Sequence, residues 1–245
     1  MYDARVRAEA LALVTSGRSL NTVSKRLGVS RAAIREWLRR PDALDVAGRC
    51  PAPAAPSPEY SALLGFYLGD GCLSAHPRTY ALRVACDKNL AGIVEDVVNC
   101  VRAVHPERRT YLVPAEGVVV VQSYWKHWPC LFPQHGPGRK HERVLDMADW
   151  QWQIVERHPA DFLRGLFHSD GCRVNNWTTR VVAGEKKRYD YPRWQFVNES
   201  ADIMGWCGEA LDLVGIAWRQ TSPRTLSVST RAAVAQLDAL IGPKR

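Results

Sequence analysis

The chain has 245 residues, a formal net charge of +8 at pH 7 and a pI near 9.3, so it is long enough for two domains, or for one duplicated domain with an appendage. That charge points to an anionic partner, and nucleic acid comes ahead of a membrane because no apolar run reaches spanning length. Seven scattered cysteines without a C-x-x-C pair, and no apolar signal core at the N-terminus, give the expectation of reduced thiols in a cytoplasmic, nucleoid-associated protein.

Residues up to about Arg40 read as three helices. An amphipathic run through Val6, Ala10, Leu13 and Val14 stops at Gly17, and Ser19 caps a second helix with Leu20, Val23 and Leu27 inward. Gly28-Val29 makes a tight turn, and Ser30 caps a third helix carrying Ile34, Trp37 and Leu38. The segment SLNTVSKRLGVSRAAIREWLRR resembles the small trihelical, helix-turn-helix DNA-binding domains of transposases and bacterial regulators. Arg31, Ala32, Arg35 and Arg39 form the outer face of its third helix, a composition suited to the major groove, with Arg31 and Arg35 as base-contact candidates. An ordinary three-helix cap with a basic surface is the other reading. The boundaries that follow are a helix-turn-helix domain over 1–45 and a semi-extended linker over 46–58, containing AGRCPAPAAPSP.

The next stretch, Leu63-Leu64-Gly65-Phe66-Tyr67-Leu68-Gly69-Asp70-Gly71-Cys72, recurs as Leu163-Arg164-Gly165-Leu166-Phe167-His168-Ser169-Asp170-Gly171-Cys172. The chain therefore contains an internal duplication. Each copy has a proline, Pro58 or Pro159, at a first helical position and closes on Asp-Gly-Cys, so each reads as a short helix ending at an aspartate. Gly65 with Gly69, and Gly165 with Ser169, place small residues four apart on one face, which lets two helix backbones approach closely. Packed parallel, the helices would bring Asp70 and Asp170 together at two C-termini whose dipoles favour cations, a setting for a hard divalent ion. Read singly, each Asp-Gly is only a helix-ending turn. Cys72 and Cys172 read as small packing residues at the repeat interface.

Between the motifs, 72–74 and 79–86 read as a hairpin around His76-Pro77, a helix carries Ile93, Val94, Val97, Val98 and Val101, and 109–113 with 118–122 read as a second hairpin around Glu116-Gly117. The segment 124–143 reads as a phosphate-contacting loop through Arg139 and Lys140. His127, Cys130, His135 and His141 within it invite a zinc reading, but their spacing matches no familiar ligand pair. A helix over 147–157 leads to the second motif. After that motif, 175–193 carries Arg180, Lys186, Lys187, Arg188 and Arg193 with Trp177, Tyr189 and Tyr191. It reads as a hairpin loop that follows a DNA backbone or as a mobile surface loop. A returning strand over 194–198, a helix over 201–214, a hairpin of 216–220 with 225–229 and a closing helix over 231–241 complete the chain. The halves are thus 59–148 and 149–245.

These paired motifs resemble those of the LAGLIDADG (DOD-type) homing endonuclease family in its single-chain, two-motif form, over roughly Ser57 to the C-terminus. The resemblance implies an α+β fold, a duplicated, pseudo-twofold αββαββα saddle over double-stranded DNA, preceded here by the small all-α domain, in a monomer. It implies that Asp70 and Asp170 are metal ligands and catalytic acids, that Gly69 and Ser169 share the metal site, and that the cofactor is Mg²⁺ with Mn²⁺ as a substitute. Members of the family often place a lysine beyond the second hairpin near the scissile phosphates, and by position that lysine is Lys126, with Lys140 behind it. The second half has no lysine just after its last strand, where Arg231 stands. The implied function is site-specific, metal-dependent cleavage of duplex DNA, and the alternative is a transcriptional regulator that keeps the scaffold and does not cut.

Overall fold

The computed structural model describes residues 4–39 and 57–244, and the chain divides into two compact units, Met1–Pro51 and Ala52–Arg245. All but the last two residues of the expected linker, 46–58, and the domain boundary at 45 lie outside the described residues. Among the described residues no helix is long and apolar enough to cross a membrane.

In the first unit three helices, α1 (Ala4–Thr15), α2 (Leu20–Leu27) and α3 (Arg31–Arg39), enclose a small core of Ala10, Val23, Val29 and Ile34. Ser19 Oγ accepts the Thr22 N–H at 3.2 Å and Ser30 Oγ accepts the Ala33 N–H at 3.2 Å, so both expected caps form. Gly28 sits at φ +63°, where a side chain would be strained, and its N–H closes α2 on the Ser24 carbonyl. Leu38 is 39% exposed rather than inward. Trp37 and Ile34 already fill the inner side of α3, and the next residue along a helix turns about 100° away.

The second unit begins with α4 (Pro58–Leu68), followed by β1 (Gly71–His76), β2 (Thr79–Asp87), α5 (Ala91–Val104), β3 (Thr110–Pro114), β4 (Val118–Trp125) and the short α6 (Trp128–Leu131). Then come α7 (Asp149–Arg157), α8 (Pro159–Asp170), β5 (Gly171–Val182), β6 (Glu185–Val197), α9 (Ala201–Leu213), β7 (Arg219–Ser222), β8 (Thr225–Val228) and α10 (Arg231–Ile241). The strands form two four-stranded antiparallel sheets of matching order, β1-β2-β4-β3 and β5-β6-β8-β7. The expected α+β duplication is therefore present.

The two halves meet through α4 and α8. Every residue of α4 from Tyr60 to Leu68 is buried, which fits a helix that is apolar all round. A Cβ placed on Gly65 would overlap the Phe162 carbonyl oxygen and lie 2.8 Å from the Leu166 nitrogen, and one on Gly165 would overlap the Ala62 carbonyl oxygen and lie 2.7 Å from the Phe66 nitrogen. Only glycine permits this separation. The helices run parallel: Ser61 Oγ near the start of α4 donates to the carbonyl of His158, the residue that caps the start of α8, at 2.8 Å, while at the other end Gly69 lies against Ser169. An ion pair from Arg164 on α8 to Asp96 on α5 ties the second half to the first.

Several expectations change. Strand β4 runs on to Trp125 and α6 follows directly, because the Trp128 ring is fully buried with its indole N–H on the Ser123 carbonyl at 3.0 Å. The segment 175–193 is not a loop. Its residues form the regular continuation of β5 and β6, closed by Ala183-Gly184 at φ +52° and +83°. The alternation of Trp, Thr, Val and Tyr with charged residues is strand chemistry, masked in the sequence by the density of charge. Cys72 and Cys172 are exposed rather than packed at the interface, because each follows the glycine that opens a strand. Cys72, Cys86, Cys100, Cys172 and Cys207 are free thiols, whereas Cys130 is disulfide-bonded. The expectation of reduced thiols throughout fails at Cys130.

Candidate active site

Because α4 and α8 abut in parallel, the residues that end them are forced together. Asp70 follows α4 and Asp170 is the last residue of α8. Burial pushes the Asp170 carboxyl up first, the charge of Asp70 pushes it further, and the result is a pKa of about 6. Asp70 is raised as well, by loss of hydration at the junction, with Lys244 and Lys140 opposing the shift. Each carboxylate remains reachable. Asp170 is half-buried in a recess of about 510 Å³ that it shares with Gly69, Cys72, Lys140, His141 and Asn198. Asp70 keeps solvent contact at a second recess of about 220 Å³, shared with Cys86, Asp87, His168 and Lys244.

Two lysines complete the arrangement. Lys140 Nζ donates to the carbonyls of Tyr67, Leu68 and Gly69 at 2.5, 2.6 and 2.9 Å, and lies 5.1 Å from the Tyr67 ring centroid. Lys244 Nζ donates to the carbonyls of Ser169 and Gly171 at 2.9 and 2.7 Å. Each motif helix thus ends on an ammonium, which satisfies its unpaired carbonyls and offsets its negative dipole end. Burial lowers the Lys140 pKa to about 8, although Asp170 and Asp70 resist the shift. The same cause lowers Lys244. In both places the lysine stands two residues beyond a left-handed glycine, Gly138 at φ +77° and Gly242 at φ +71°, which turns the chain back over the motif helix.

The halves differ in how they hold the acid. Asn198 Nδ2 donates to Asp170 Oδ2 at 2.7 Å. The register that pairs Gly71 with Val84 and Gly171 with Phe196 puts Cys86 at the equivalent place in the first half. Its buried thiol is pushed up to about 12, by desolvation and then by Asp70.

Asp70, Asp170, Gly69 and Ser169 lie together at the joined helix ends. Lys126 is not among them: it is an exposed turn residue after β4, and the charges that act on the two aspartates come from Lys140 and Lys244. Lys140 is engaged with carbonyls, while Arg139 beside it is exposed. Neither Lys244 nor Asn198 is among the site residues expected from the sequence. The signal for Lys244 lies in Gly242-Pro243-Lys244, an echo of Gly138-Arg139-Lys140, placed after the closing helix instead of after the last strand. Of the other candidates, Arg31, Arg35 and Arg39 are exposed on α3, with Arg39 beside Glu36 at 3.4 Å. Arg180, Lys186, Lys187 and Arg188 are exposed on the β5–β6 ribbon. His127 Nδ1 lies 3.7 Å from Cys130 Sγ and His135 packs edge-on to Tyr80, and among the described residues no three His, Cys, Asp or Glu gather around one point.

On each sheet one face packs on the helices through Leu73, Leu82, Val84 and Val121, or through Trp194, Phe196, Leu226 and Val228. The register then places Cys72, Arg83, Gln122 and Tyr111 in one row across the opposite face of the first sheet, and Cys172, Gln195, Ser227 and Arg219 in the matching row of the second. Arg83, Tyr111 and Arg219 are exposed there. The site therefore lies where two polar, basic sheet faces adjoin the paired helix ends.

The donor set fits a hard divalent cation: the carboxylates of Asp70 and Asp170, with the carbonyl oxygens of Gly69 and Ser169 at the same helix ends. Two carboxylates suffice for Mg²⁺, which keeps much of its water.

Residues 9–43 match the family described as the N-terminal domain of the IS2 transposase InsD. No curated protein matches the sequence. Among solved structures, I-DmoI in complex with DNA and manganese superposes with a TM-score of 0.51 at 12% identity, over 77% of this chain and 99% of that one. The LAGLIDADG meganuclease I-AabMI bound to uncleaved DNA gives 0.47 at 11% identity, over 75% of this chain and 82% of that one. The N-terminal LAGLIDADG domain of DUF199/WhiA gives 0.46 at 13%, over 78% and 84%. At such identities the likeness is one of fold, and the fold is the LAGLIDADG saddle.

Proposed function

We propose that this protein is a monomeric, site-specific DNA endonuclease that binds duplex DNA on its paired sheets and cleaves it in a metal-dependent reaction. The observation that carries the reading is the meeting of Asp70 and Asp170 at the joined ends of two glycine-packed helices, each end bearing an ammonium. A bound Mg²⁺ or Mn²⁺, held by these carboxylates with the Gly69 and Ser169 carbonyls, would polarise water and phosphate oxygens and offset charge on the leaving oxygen.

The chain's own residues do the rest. Asn198 fixes the orientation of Asp170 by its amide hydrogen bond. Lys140 and Lys244 bring positive charge to where a phosphodiester would lie, in a half-buried setting that strengthens its effect. Arg83 and Arg219, with Gln122 and Gln195, supply phosphate and base-edge contacts from the sheets. The two halves carry different side chains in equivalent rows, which suits an imperfect palindrome. The exposed Arg31 and Arg35 of α3 supply a second DNA contact, and two tethered modules combine modest affinities.

The test is selection from a randomised duplex library with Mg²⁺. Cleavage at one preferred sequence is expected, and Asp70→Asn or Asp170→Asn abolishes it while binding persists. One observation favours the second reading, a DNA-binding regulator that does not cut: the carbonyls of Gly69 and Ser169 already accept from Lys140 and Lys244. Salt-sensitive retention of duplex with no cleavage in Mg²⁺ or Mn²⁺ is the outcome that would decide for it.

A further inference from the structure

The two hairpins that leave the motif helices differ in reach. β1 pairs with β2 through six residues, and β2 is supported on its other side by β4 as far as Tyr80, one residue from where β2 starts. β5 pairs with β6 through twelve, but β8 supports β6 only from Trp194 to Val197. Nine pairs, from Val174 with Arg193 to Val182 with Glu185, therefore form a ribbon with no third strand along β6. At about 3.3 Å per residue this is a projection of roughly 30 Å.

A two-stranded ribbon with water on both sides is marginal by itself, and its two faces are built differently. Trp177, Thr179, Val181, Lys186, Arg188 and Asp190 share the face that continues the helix side of the sheet. There Arg188 is neutralised by Asp190 at 2.7 Å and lies 5.1 Å from the Trp177 ring centroid. On the face that continues the row of Cys172 and Gln195 stand Arg180, Lys187 and Arg193, with Tyr189 and Tyr191 between them and the one carboxylate, Glu185, at the ribbon's tip opposite Val182. Among the described residues none of these three cations forms an ion pair, although Arg193 lies 5.9 Å from the Tyr191 ring centroid. Arg180 and Lys187 are directly opposite one another. Like charges in that position destabilise a ladder, and a violation of this kind marks a functional surface.

We infer that this face of the ribbon tracks the duplex beyond the second half-site, so that the DNA contact is longer on one side of the cleavage centre than on the other. The inference rests on the proposed function and adds to it the asymmetry of the substrate. A two-stranded ribbon fits the major groove, and phosphates on either side of the groove neutralise the opposed cations. The six pairs by which the second hairpin exceeds the first correspond to about 20 Å, or roughly six base pairs along the axis.

The experiment is hydroxyl-radical footprinting of the full chain on the duplex recovered from the randomised library, without divalent metal. The wild-type footprint extends about six base pairs further on one side. Arg180→Ala with Lys187→Ala removes only that outer protection and makes the dependence of log K on log salt shallower by about 2, the loss of two phosphate contacts. Replacing 178–189 by Asn-Gly equalises the two sides. Lys186→Ala, on the opposite face, leaves the outer protection in place. Equal arms in the wild type, or an unchanged footprint in the double variant and the shortened ribbon, would overturn the inference while leaving DNA binding by the sheets intact. An equal loss in Lys186→Ala would overturn the assignment of the face. A wild-type protein that retains no duplex overturns the proposed function and this inference with it.

Discussion

Gly165→Ala isolates the contact that creates the site. The added methyl would meet the Ala62 carbonyl oxygen, the Phe66 nitrogen at 2.7 Å and the Gly65 Cα at 2.9 Å. All three are main-chain atoms of α4, which no side-chain rotation can move aside. Alanine is favoured over glycine inside a helix by about 1 kcal/mol, whereas overpacking a close interface costs up to about 3 kcal/mol. The expected net loss is about 2 kcal/mol, or a fall in Tm of roughly 4–8 °C for a domain of this size. Gly205→Ala on α9 is the matched control, because nothing lies within 4 Å of its added methyl, and only the helical gain of about 1 kcal/mol remains. Its Tm should rise by roughly 2–4 °C. Thermal melts followed by the fluorescence of Trp128 and Trp194, both buried in the second unit, report the two shifts. Gly165→Ala melting at or above the wild type would refute the close contact of α4 with α8, and with it the meeting of the aspartates.

The raised pKa of Asp170 gives a pH signature. Between its ordinary 3.8 and about 6 the folded protein holds a proton that the unfolded chain has released, so stability without divalent metal falls as pH rises through that window. Asp70→Asn removes the second cause and should flatten the fall. Denaturant midpoints at the two ends of the window measure this, and a slope unchanged in the variant contradicts the coupling. Lys140→Met leaves three helix-end carbonyls without their ammonium and should cost about 2–3 kcal/mol, against less than about 0.5 kcal/mol for the exposed Lys126→Met. Similar losses for both in urea denaturation would contradict the placement of Lys140. Cys72 and Cys172, free and exposed in the rows of the helix-free sheet faces, should be protected by duplex DNA from alkylation, as read by mass spectrometry. Labelling that DNA leaves unchanged would argue against those faces as the binding surface.

The duplicated helix was legible because one physical demand, two backbones in contact, leaves a signature of Gly65 and Gly165 followed by an aspartate that hydrophobic burial alone does not produce. Most strands were legible from alternation, and the caps Ser19 and Ser30 from their spacing. Lys244 was not, since its partners, the carbonyls of Ser169 and Gly171, are main-chain atoms some seventy positions away that no side-chain pattern announces. Asn198 was hidden for a similar reason: its role depends on strand register, which brings it beside Asp170 only after the second sheet has formed. The ribbon was misread because charge density obscured a regular alternation of period two.

The parallel packing of α4 and α8 sets two negative dipole ends and two carboxylates side by side, an arrangement that would repel itself in an empty junction. Lys140 and Lys244 are resident counter-ions, delivered by the chain at the close of each repeat. The junction therefore needs no borrowed ion to hold together, and a chelator should silence any chemistry there without parting the two halves. A divalent ion placed at this junction would have to compete with tethered ammoniums for the same carbonyl oxygens.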